Sequence, residues 1–370
     1  ADDPGMHSSQ NEQDNRYFAR FAGIPMLEPS DSEEARAFTR WAFELSARYD
    51  VPVLLRITTR IAHTQTVVRP EEPRADAPGG FRPDPLKYVM LPAHARARHP
   101  EVLNRLGRIA SAADPNYATM ELRSRRVGVV TSGVCYHYIR EAMPEASVLK
   151  INLTHPLPMA SVRAFAAQVE RLLVVEELEP FLEDQLRAAG IAADGKAFWP
   201  AVGEMTPARV RAGFAAAGLL AADGPSAPAE AAVPRPPVLC AGCPHVVPLL
   251  ALKRLGAVIC GVIGCYTLAA LPPLRAMDSC VAMGCSIGMA AGLAKTGVDR
   301  PVAAAIGDST FLHAGIPALL DAVYNRARIV VLILNNGTTA MTGGQPHPAT
   351  GRTVRGEPAP QVDLAALCRG

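Results

Sequence analysis

Two side chains with oxygen donors follow two segments that are typical of buried strands. Asp308 and the preceding Gly307 follow the apolar run at 302–306, and Asn336 follows the apolar, β-branched run at 329–334. Because the carboxyl ends of parallel strands meet at one edge of a sheet, we expect these side chains to lie close together. Carboxylate and amide oxygens suit a hard cation such as Mg2+, which proteins usually share with phosphates. A plain strand–helix–strand core unit is the alternative.

A Cys-x-x-Cys pair, Cys240 and Cys243, lies upstream of these strands, and a third cysteine, Cys265, follows the pair. Three thiolates from two segments can hold Zn2+ or an iron–sulfur cluster. A Cys-x-x-Cys pair alone is also compatible with a redox dithiol or with coincidence. His245 follows two residues after Cys243, and an isolated histidine is more often a polar group satisfied within a core.

Glycines mark the segments where the backbone could approach a phosphate closely. Gly264 lies in one such segment, and Gly284, Gly288 and Gly292 recur at a spacing of four in another. Close approach to a phosphate at the start of a helix is one role of glycines in such places. Tight helix packing explains a spacing of four equally well.

The spacing around Asp308 resembles a known fingerprint. Gly307, Asp308 and Ser309 are followed, after residues 310–334, by a pair of asparagines that ends at Asn336. This arrangement is similar to the thiamine diphosphate motif, although Ser309 stands where glycine is commoner. Because serine is small and can donate a hydrogen bond to a phosphate, the difference does little to weaken the match.

Flanking motifs narrow the resemblance to one family. They lie at residues 240–245, 263–267, 283–288 and 342–348. Together with the fingerprint, they make the chain similar to the 2-oxoacid:ferredoxin oxidoreductases, and most closely to the large, thiamine-carrying subunit of indolepyruvate:ferredoxin oxidoreductase. The resemblance covers nearly all of residues 1–60 and 125–370.

The resemblance implies a set of site residues. It implies that Mg2+ is held by Asp308, Asn336 and the backbone carbonyl of Thr338, and that Cys240, Cys243 and Cys265 bind a [4Fe–4S] cluster whose fourth ligand lies past Gly370. The residues that it implies around thiamine diphosphate are His245, Gly264, Cys265, Tyr266, Gly284, Gly307, Asp308, Ser309, Asn336 and Thr338.

The patterns and the resemblance together predict an α/β chain with several doubly wound domains of the thiamine diphosphate-binding type, as in transketolase and pyruvate:ferredoxin oxidoreductase. We expect the end of a pyrimidine-binding domain, an irregular linker or insertion, a transketolase C-terminal-like domain, a Pro/Ala-rich linker and a diphosphate-binding domain. Their predicted bounds are 1–64, 65–122, 123–220, 221–237 and 238–370.

The polar run at residues 4–16 is either a solvated surface or an active-site loop. Within it, residues 7–11 match a loop of the family's pyrimidine-binding domain, which favours the second interpretation. The resemblance places the glutamate that activates the cofactor upstream of Ala1, so no catalytic residue is assigned. Glu176 and Glu177 are adjacent in a predicted strand and should face opposite ways, so we assign them no catalytic role.

Composition excludes several classes of protein. With 49% apolar residues in 370, the chain can bury large cores, and a net charge of +2 gives no electrostatic case for binding nucleic acid or an anionic membrane. Eight cysteines without the spacing of a small disulfide scaffold indicate a reducing, cytoplasmic setting. No membrane span is expected, because no apolar run is long enough.

The resemblance implies a thiamine diphosphate-dependent oxidoreductase. Such an enzyme removes CO2 from an aryl 2-oxoacid, indolepyruvate first, passes the acyl group to coenzyme A and passes electrons to ferredoxin. A smaller β subunit and a hetero-oligomer are expected. The alternatives are a non-oxidative 2-oxoacid decarboxylase, which would need no cluster, and a non-catalytic scaffold subunit, which would not bind the cofactor.

Overall fold

The computed structural model describes residues 2–72, 81–221, 233 and 236–369. The chain divides into two compact units, Ala1–Ala229 and Glu230–Gly370. Most of the predicted linker at 221–237 lies outside the described residues. No helix in the described ranges has the length and apolar character needed to cross a membrane.

Unit 1 alternates helices and strands. Its strands are β1 (Met26–Leu27), β2 (Leu54–Leu55), β3 (Ala118–Glu121), β4 (Ser124–Ser132), β5 (Ala146–Ile151), β6 (Leu153–His155) and β7 (Arg171–Val175). Its helices are α1 (Arg16–Ala22), α2 (Ser32–Tyr49), α3 (Thr59–His63), α4 (Pro85–Tyr88), α5 (Pro92–Ser111), α6 (Cys135–Ala142), α7 (Met159–Ala166), α8 (Phe181–Ala188) and α9 (Pro207–Ala216). A short 3-10 turn spans Pro115–Tyr117.

The larger sheet of unit 1 has the order β3-β5-β4-β7. Strands β5, β4 and β7 are parallel, and β3 runs antiparallel at the edge. Apolar side chains of the central strands pack into two separate cores. One core contains Ile139 of α6 and Phe214 of α9, and the other contains Phe165 of α7 and Leu186 of α8. Helices therefore cover this sheet on both faces, as in a doubly wound domain.

A smaller sheet in unit 1 has the order β2-β1-β6. Helix α2 packs beside it through Phe38 and Leu45, and both side chains are buried. Asp31 caps this helix, because its side chain accepts the Glu34 N–H at 2.8 Å.

The prediction of an irregular segment at 65–122 is wrong for two parts of it. Helix α5 is 20 residues long, and β3 joins the larger sheet. The first half of the helix is rich in Arg and His, and Pro100 lies inside it. Its one fully buried apolar side chain, Ile109, packs with the core around Phe38. Tertiary packing, which the local pattern does not reveal, therefore stabilises this helix.

Buried ion pairs join distant parts of unit 1. Arg16 lies 2.5 Å from both Asp14 and Glu176, and its side chain is almost fully buried. Arg56 pairs with Asp2 at 2.5 Å and also with Glu28. Because an unpaired charge in such a place would be very costly, each member depends on the others being present.

Glu177 is buried next to this network and accepts a hydrogen bond from the Met205 N–H at 3.1 Å. Burial raises the pKa of Glu177 to about 7. The folded protein thus holds this proton more tightly than the unfolded chain does. The resulting stability is present below the ordinary carboxyl pKa and is lost as the pH rises through about 7.

We therefore expect Glu177→Gln to stabilise the protein at pH 8 by on the order of 1 kcal/mol and to have a much smaller effect at pH 5. Glutamine keeps an oxygen that can accept the Met205 N–H. Urea unfolding at both pH values measures the effect, with the exposed Glu145→Gln as the control. A stability difference that does not change with pH would contradict this account.

Gly213 in α9 faces the buried indole of Trp199. A Cβ at this position would lie 2.0 Å from the indole Nε1, which donates to the Val210 carbonyl at 3.2 Å. We expect Gly213→Ala to lower the free energy of unfolding by about 1–3 kcal/mol, because the ring must move. Tryptophan fluorescence during urea unfolding reports the change.

The control for this prediction is Gly107→Ala in α5, where a Cβ would meet nothing within 4 Å. Alanine there should be neutral or stabilising by up to about 1 kcal/mol, as expected from helix propensity. Equal stability of the two variants would show that the indole does not constrain position 213.

Unit 2 is built around one parallel sheet of order β11-β10-β8-β9. The strands are β8 (Val258–Gly261), β9 (Ser279–Cys280), β10 (Val302–Gly307) and β11 (Ile329–Leu334). The helices are α10 (Val246–Arg254), α11 (Ser286–Lys295), α12 (Asp308–Thr310), α13 (Ile316–Tyr324) and α14 (Leu364–Arg369). A π-helical turn at Phe311–Gly315 joins α12 to α13, and 3-10 turns span Cys265–Ala270 and Ala340–Thr342.

The core of unit 2 lies around β10, whose residues 302–306 are all buried. Three consecutive alanines at 303–305 leave room for helix α11 to pack closely on this strand. The prediction of an α/β fold with parallel sheets is confirmed.

Candidate cofactor site

A cleft opens at the carboxyl edge of the sheet in unit 2. Strands β10 and β11 end there side by side, with Gly307 paired to Leu334. All but one of the predicted cofactor residues line this cleft: His245, Gly264, Cys265, Tyr266, Gly307, Asp308, Ser309, Asn336 and Thr338. The structure therefore brings together residues from segments that are far apart in sequence.

The carboxylate of Asp308 ties the ends of the two strands together. Its Oδ1 accepts the Ser309 N–H at 2.8 Å, and its Oδ2 accepts the N–H groups of Asn336 and Gly337 at 3.2 and 2.8 Å. The side chain is buried. Three backbone N–H groups thus fix the position of the Asp308 side chain at the base of the cleft.

The loop after β11 is connected to Asp308 through its neighbours as well. The Thr339 hydroxyl donates to the Ser309 Oγ at 3.0 Å, and the Asn336 Oδ1 accepts the Thr338 N–H at 3.3 Å. Asn336 is exposed and Thr338 is half-buried, so the amide and the backbone oxygens remain accessible from the cleft. A carboxylate, an amide oxygen and a backbone carbonyl form a donor set that fits Mg2+.

Tyr266 forms the facing wall of the cleft. Its hydroxyl oxygen accepts the Gly307 N–H at 2.9 Å, and burial raises its pKa to about 12. A Cβ at Gly264 would lie 2.5 Å from the Tyr266 ring, so glycine is needed there for close packing. Because its pKa is raised, the Tyr266 hydroxyl stays protonated at neutral pH, and its O–H is available as a donor.

His245 also faces the cleft, and its ring meets that of Tyr266 edge to face at a centroid distance of 6.1 Å. Both of its ring nitrogens are buried and have no hydrogen-bond partner in the described part of the chain. Buried polar atoms normally have partners, so these nitrogens are candidates for contact with a bound molecule.

Gly284 is the predicted cofactor residue that does not line the cleft; its neighbour Met283 does. Gly284 has φ +84°, and a Cβ there would lie 2.7 Å from the Ala314 Cβ, so both backbone conformation and packing require glycine. At Gly288 and Gly292 a Cβ would meet nothing within 4 Å. Tight helix packing against the described residues does not explain those two glycines.

The structure does not assemble the three cysteines predicted to bind a cluster. Cys265 lines the cleft, whereas Cys240 is exposed in a separate apolar groove beside Leu268 and Leu271. Cys243 is half-buried. Across residues 236–369 no three His, Cys, Asp or Glu side chains come close enough to hold a metal ion together. Cys240 and Cys243 precede α10 in irregular backbone, and spacing alone does not fix where such a loop goes.

No disulfide links any of the eight cysteines, all of which are described. The described arrangement does not bring Cys240, Cys243 and Cys265 together, and their assignment to an iron–sulfur cluster stays a prediction.

The polar loop at the start of unit 1 is well ordered by its own side chains. The Asp3 carboxylate accepts the N–H groups of Ser8 and Ser9, each at 2.8 Å. His7 is half-exposed and lies 3.3 Å from the Glu204 carboxylate. These contacts explain the shape of the loop, and its role at an active site stays a prediction.

Comparison with known proteins identifies relatives of the whole chain. A family model described as "Thiamine pyrophosphate enzyme, C-terminal TPP binding domain" matches residues 262–370. The whole chain aligns with the indolepyruvate oxidoreductase subunit IorA of Archaeoglobus fulgidus at 39% identity and with that of Methanothermobacter thermautotrophicus at 40%. The chain is homologous to the IorA subunits. It spans 63% and 64% of the length of these two relatives.

The match to the thiamine pyrophosphate domain includes every cleft residue named above except His245. A solved 2-oxoglutarate:ferredoxin oxidoreductase from Magnetococcus marinus is also similar, at 17% identity over 52% of this chain and 43% of that one, with a TM-score of 0.40. That likeness is too weak to carry an argument about function.

Sequence reasoning missed one side chain of the site. His347 is buried behind the cleft, and its Nε2 lies 3.3 Å from the Asp308 Oδ2. The segment at 342–348 was a recognisable motif, but the pattern gave this histidine no role. The signal that could have identified this histidine is the Pro-His-Pro sequence at 346–348, which follows the glycine pair at 343–344.

We expect Tyr266→Phe to lower the free energy of unfolding of unit 2 by about 1 kcal/mol, because the Gly307 N–H loses its acceptor. Urea unfolding of the chain measures the effect. The control is Tyr324→Phe on α13, where the ring is 85% exposed and no change is expected. Equal effects at the two positions would contradict the importance of this hydrogen bond.

Proposed function

We propose that the cleft of unit 2 binds thiamine diphosphate through Mg2+, with Asp308, Asn336 and the Thr338 carbonyl as the protein ligands of the ion. The observation that supports this most strongly is the arrangement of Asp308. Its carboxylate is fixed by N–H groups from both strand ends, and it lies in the same cleft as the amide and carbonyl oxygens. A fixed donor set of this kind suits a cation that needs near-octahedral geometry.

The surrounding residues have distinct proposed roles. The hydroxyls of Ser309 and Thr339 lie at the strand ends, where they can contact the diphosphate. Gly264 and Gly307 let the backbone approach closely, and Tyr266 holds the second of these glycines in place. His245, with both ring nitrogens unpartnered, is positioned to hydrogen-bond the bound cofactor.

We propose that the complete enzyme oxidatively decarboxylates an aryl 2-oxoacid, indolepyruvate first, to the acyl-CoA and transfers the electrons to ferredoxin. Thiamine diphosphate supplies the carbanion chemistry for loss of CO2, and the protein supplies position and charge. The relatives, which are indolepyruvate oxidoreductase subunits, support this substrate. We also propose a smaller β subunit in a hetero-oligomer. We propose a cytoplasmic location as well, because the eight cysteines lack the spacing of a small disulfide scaffold.

We assign no electron-transfer step to Cys240, Cys243 and Cys265, because these residues lie apart in the structure. The proposed oxidation requires clusters in the complete enzyme, and iron and acid-labile sulfide assays on the anaerobically purified complex measure them. Serine substitution of Cys240 should leave the iron content unchanged if the described arrangement persists in the complex.

The test of the proposal uses the full-length subunit co-purified with its β subunit in the absence of oxygen. Reduction of a viologen dye is followed with indolepyruvate, thiamine diphosphate and coenzyme A. We expect Asp308→Asn to reduce the rate by more than about 100-fold, beyond the effect typical of residues that only support a metal ligand. Release of CO2 and aldehyde without dye reduction would replace the proposal by a non-oxidative decarboxylase.

A matched control is Asp321→Asn, a carboxylate on α13 in the same unit whose side chain is not among the residues lining the cleft. It should keep the rate of the unmodified complex within about twofold, since surface substitutions away from a site rarely change function. An equal loss in both variants would indicate damage to the fold rather than loss of a ligand.

A further inference from the structure

His347 makes an unusual contact with the proposed metal ligand. Its side chain is fully buried, and its Nε2 lies 3.3 Å from the Asp308 Oδ2, whose own side chain is only 3% exposed. The direction of approach falls outside hydrogen-bond geometry, and Nε2 has no other partner among the described residues. A buried nitrogen without a partner is costly, so its place beside a carboxylate calls for an explanation.

The other ring nitrogen determines which tautomer is present. Nδ1 lies 3.3 Å from the Ala349 N–H and accepts it. A nitrogen that accepts carries no proton, so the proton of the neutral ring is on Nε2, the atom that faces Asp308. The ring therefore places an Nε2–H group beside Oδ2, at an N···O distance of 3.3 Å.

The backbone holds His347 in this position from several sides. Its carbonyl accepts the Thr350 hydroxyl at 2.8 Å, and the same carbonyl accepts the Thr350 N–H at 2.8 Å. The Gln361 side chain donates to the Ala349 carbonyl at 2.7 Å. The imidazole is thus carried on a fixed turn, which gives it the rigidity that a positioning residue needs.

The contacts of Asp308 divide unequally between its two oxygens. Oδ2 receives the N–H groups of Asn336 and Gly337 and faces the Nε2 of His347, whereas Oδ1 receives only the Ser309 N–H. The oxygen with fewer partners keeps the lone pair that a cation can use.

We propose that His347 is a positioning residue for the metal site: it fixes the Oδ2 of Asp308 so that Oδ1 is the oxygen presented to the cation. This inference rests on the proposed function of the cleft. Outer residues that orient a metal ligand typically contribute 10- to 100-fold to metal affinity, so the effect should be measurable.

Two substitutions separate the contact with Asp308 from the support of the turn. His347→Asn retains an acceptor near the position of Nδ1 for the Ala349 N–H but has no group that reaches Asp308. His347→Gln places an amide N–H near the position of Nε2 but loses the acceptor. The experiment measures the Mn2+ affinity of the full-length complex in the presence of thiamine diphosphate. Free Mn2+ is followed by its electron paramagnetic resonance signal.

We expect His347→Asn to weaken Mn2+ binding by about 10- to 100-fold and His347→Gln to stay within about threefold of the unmodified protein. A residue that only supported the turn would give the opposite order. Wild-type affinity in the Asn variant, or equal losses in both variants, would overturn the inference.

Two further variants distinguish failure of this inference from failure of the proposed function. Asp308→Asn should abolish cation binding; if it does not, the proposed metal site itself is wrong. If Asp308→Asn loses the ion while His347→Asn keeps it, only the role of His347 is wrong. His155→Leu removes from unit 1 a half-buried histidine whose two ring nitrogens are buried and unpartnered, and it should leave Mn2+ affinity unchanged.

Discussion

The organisation of the cleft depends on the hydrogen bonds from backbone N–H groups to the carboxylate of Asp308. Parallel strands leave N–H groups at their ends without ladder partners, and burial makes such groups costly. One carboxylate accepts three of them, from Ser309, Asn336 and Gly337. The interaction fixes the end of β10, the turn after β11 and the side-chain direction of the aspartate at the same time.

The strand pair around this site could be predicted from sequence because its determinants are local. Two apolar runs joined by a helix-length segment indicate neighbouring parallel strands. The observed bounds of β10 and β11 agree with the predicted ranges to within one residue. The meeting of Asp308 and Asn336 at one edge then follows because the carboxyl ends of neighbouring parallel strands lie at the same edge of the sheet. By contrast, helix α5 and the placement of Cys240 depend on packing with residues far along the chain.

In unit 1, the contacts between buried charged residues also could not be predicted from the sequence. Arg16 and Glu176 are 160 positions apart in sequence, yet they form a buried pair at 2.5 Å. No periodicity marks either residue, because an isolated Arg or Glu in a sequence is normally on the surface. The Pro-His-Pro segment marks His347 in the sequence, but its contact with Asp308 could not be predicted, since it depends on the path of an irregular loop and not on a repeating pattern.

The hydrogen bonds of Asp308 have a consequence for the kinetics of cofactor loading. The carboxylate is held by protein groups alone, so its orientation is established when the strands pair and the turn after β11 closes. The Mg2+ ion of the proposed function would thus meet a ligand whose position is already fixed, and little conformational entropy would be lost on association. Loading should accordingly resemble the docking of a rigid partner. Differences in affinity between variants should then come mainly from the dissociation rate and less from the association rate.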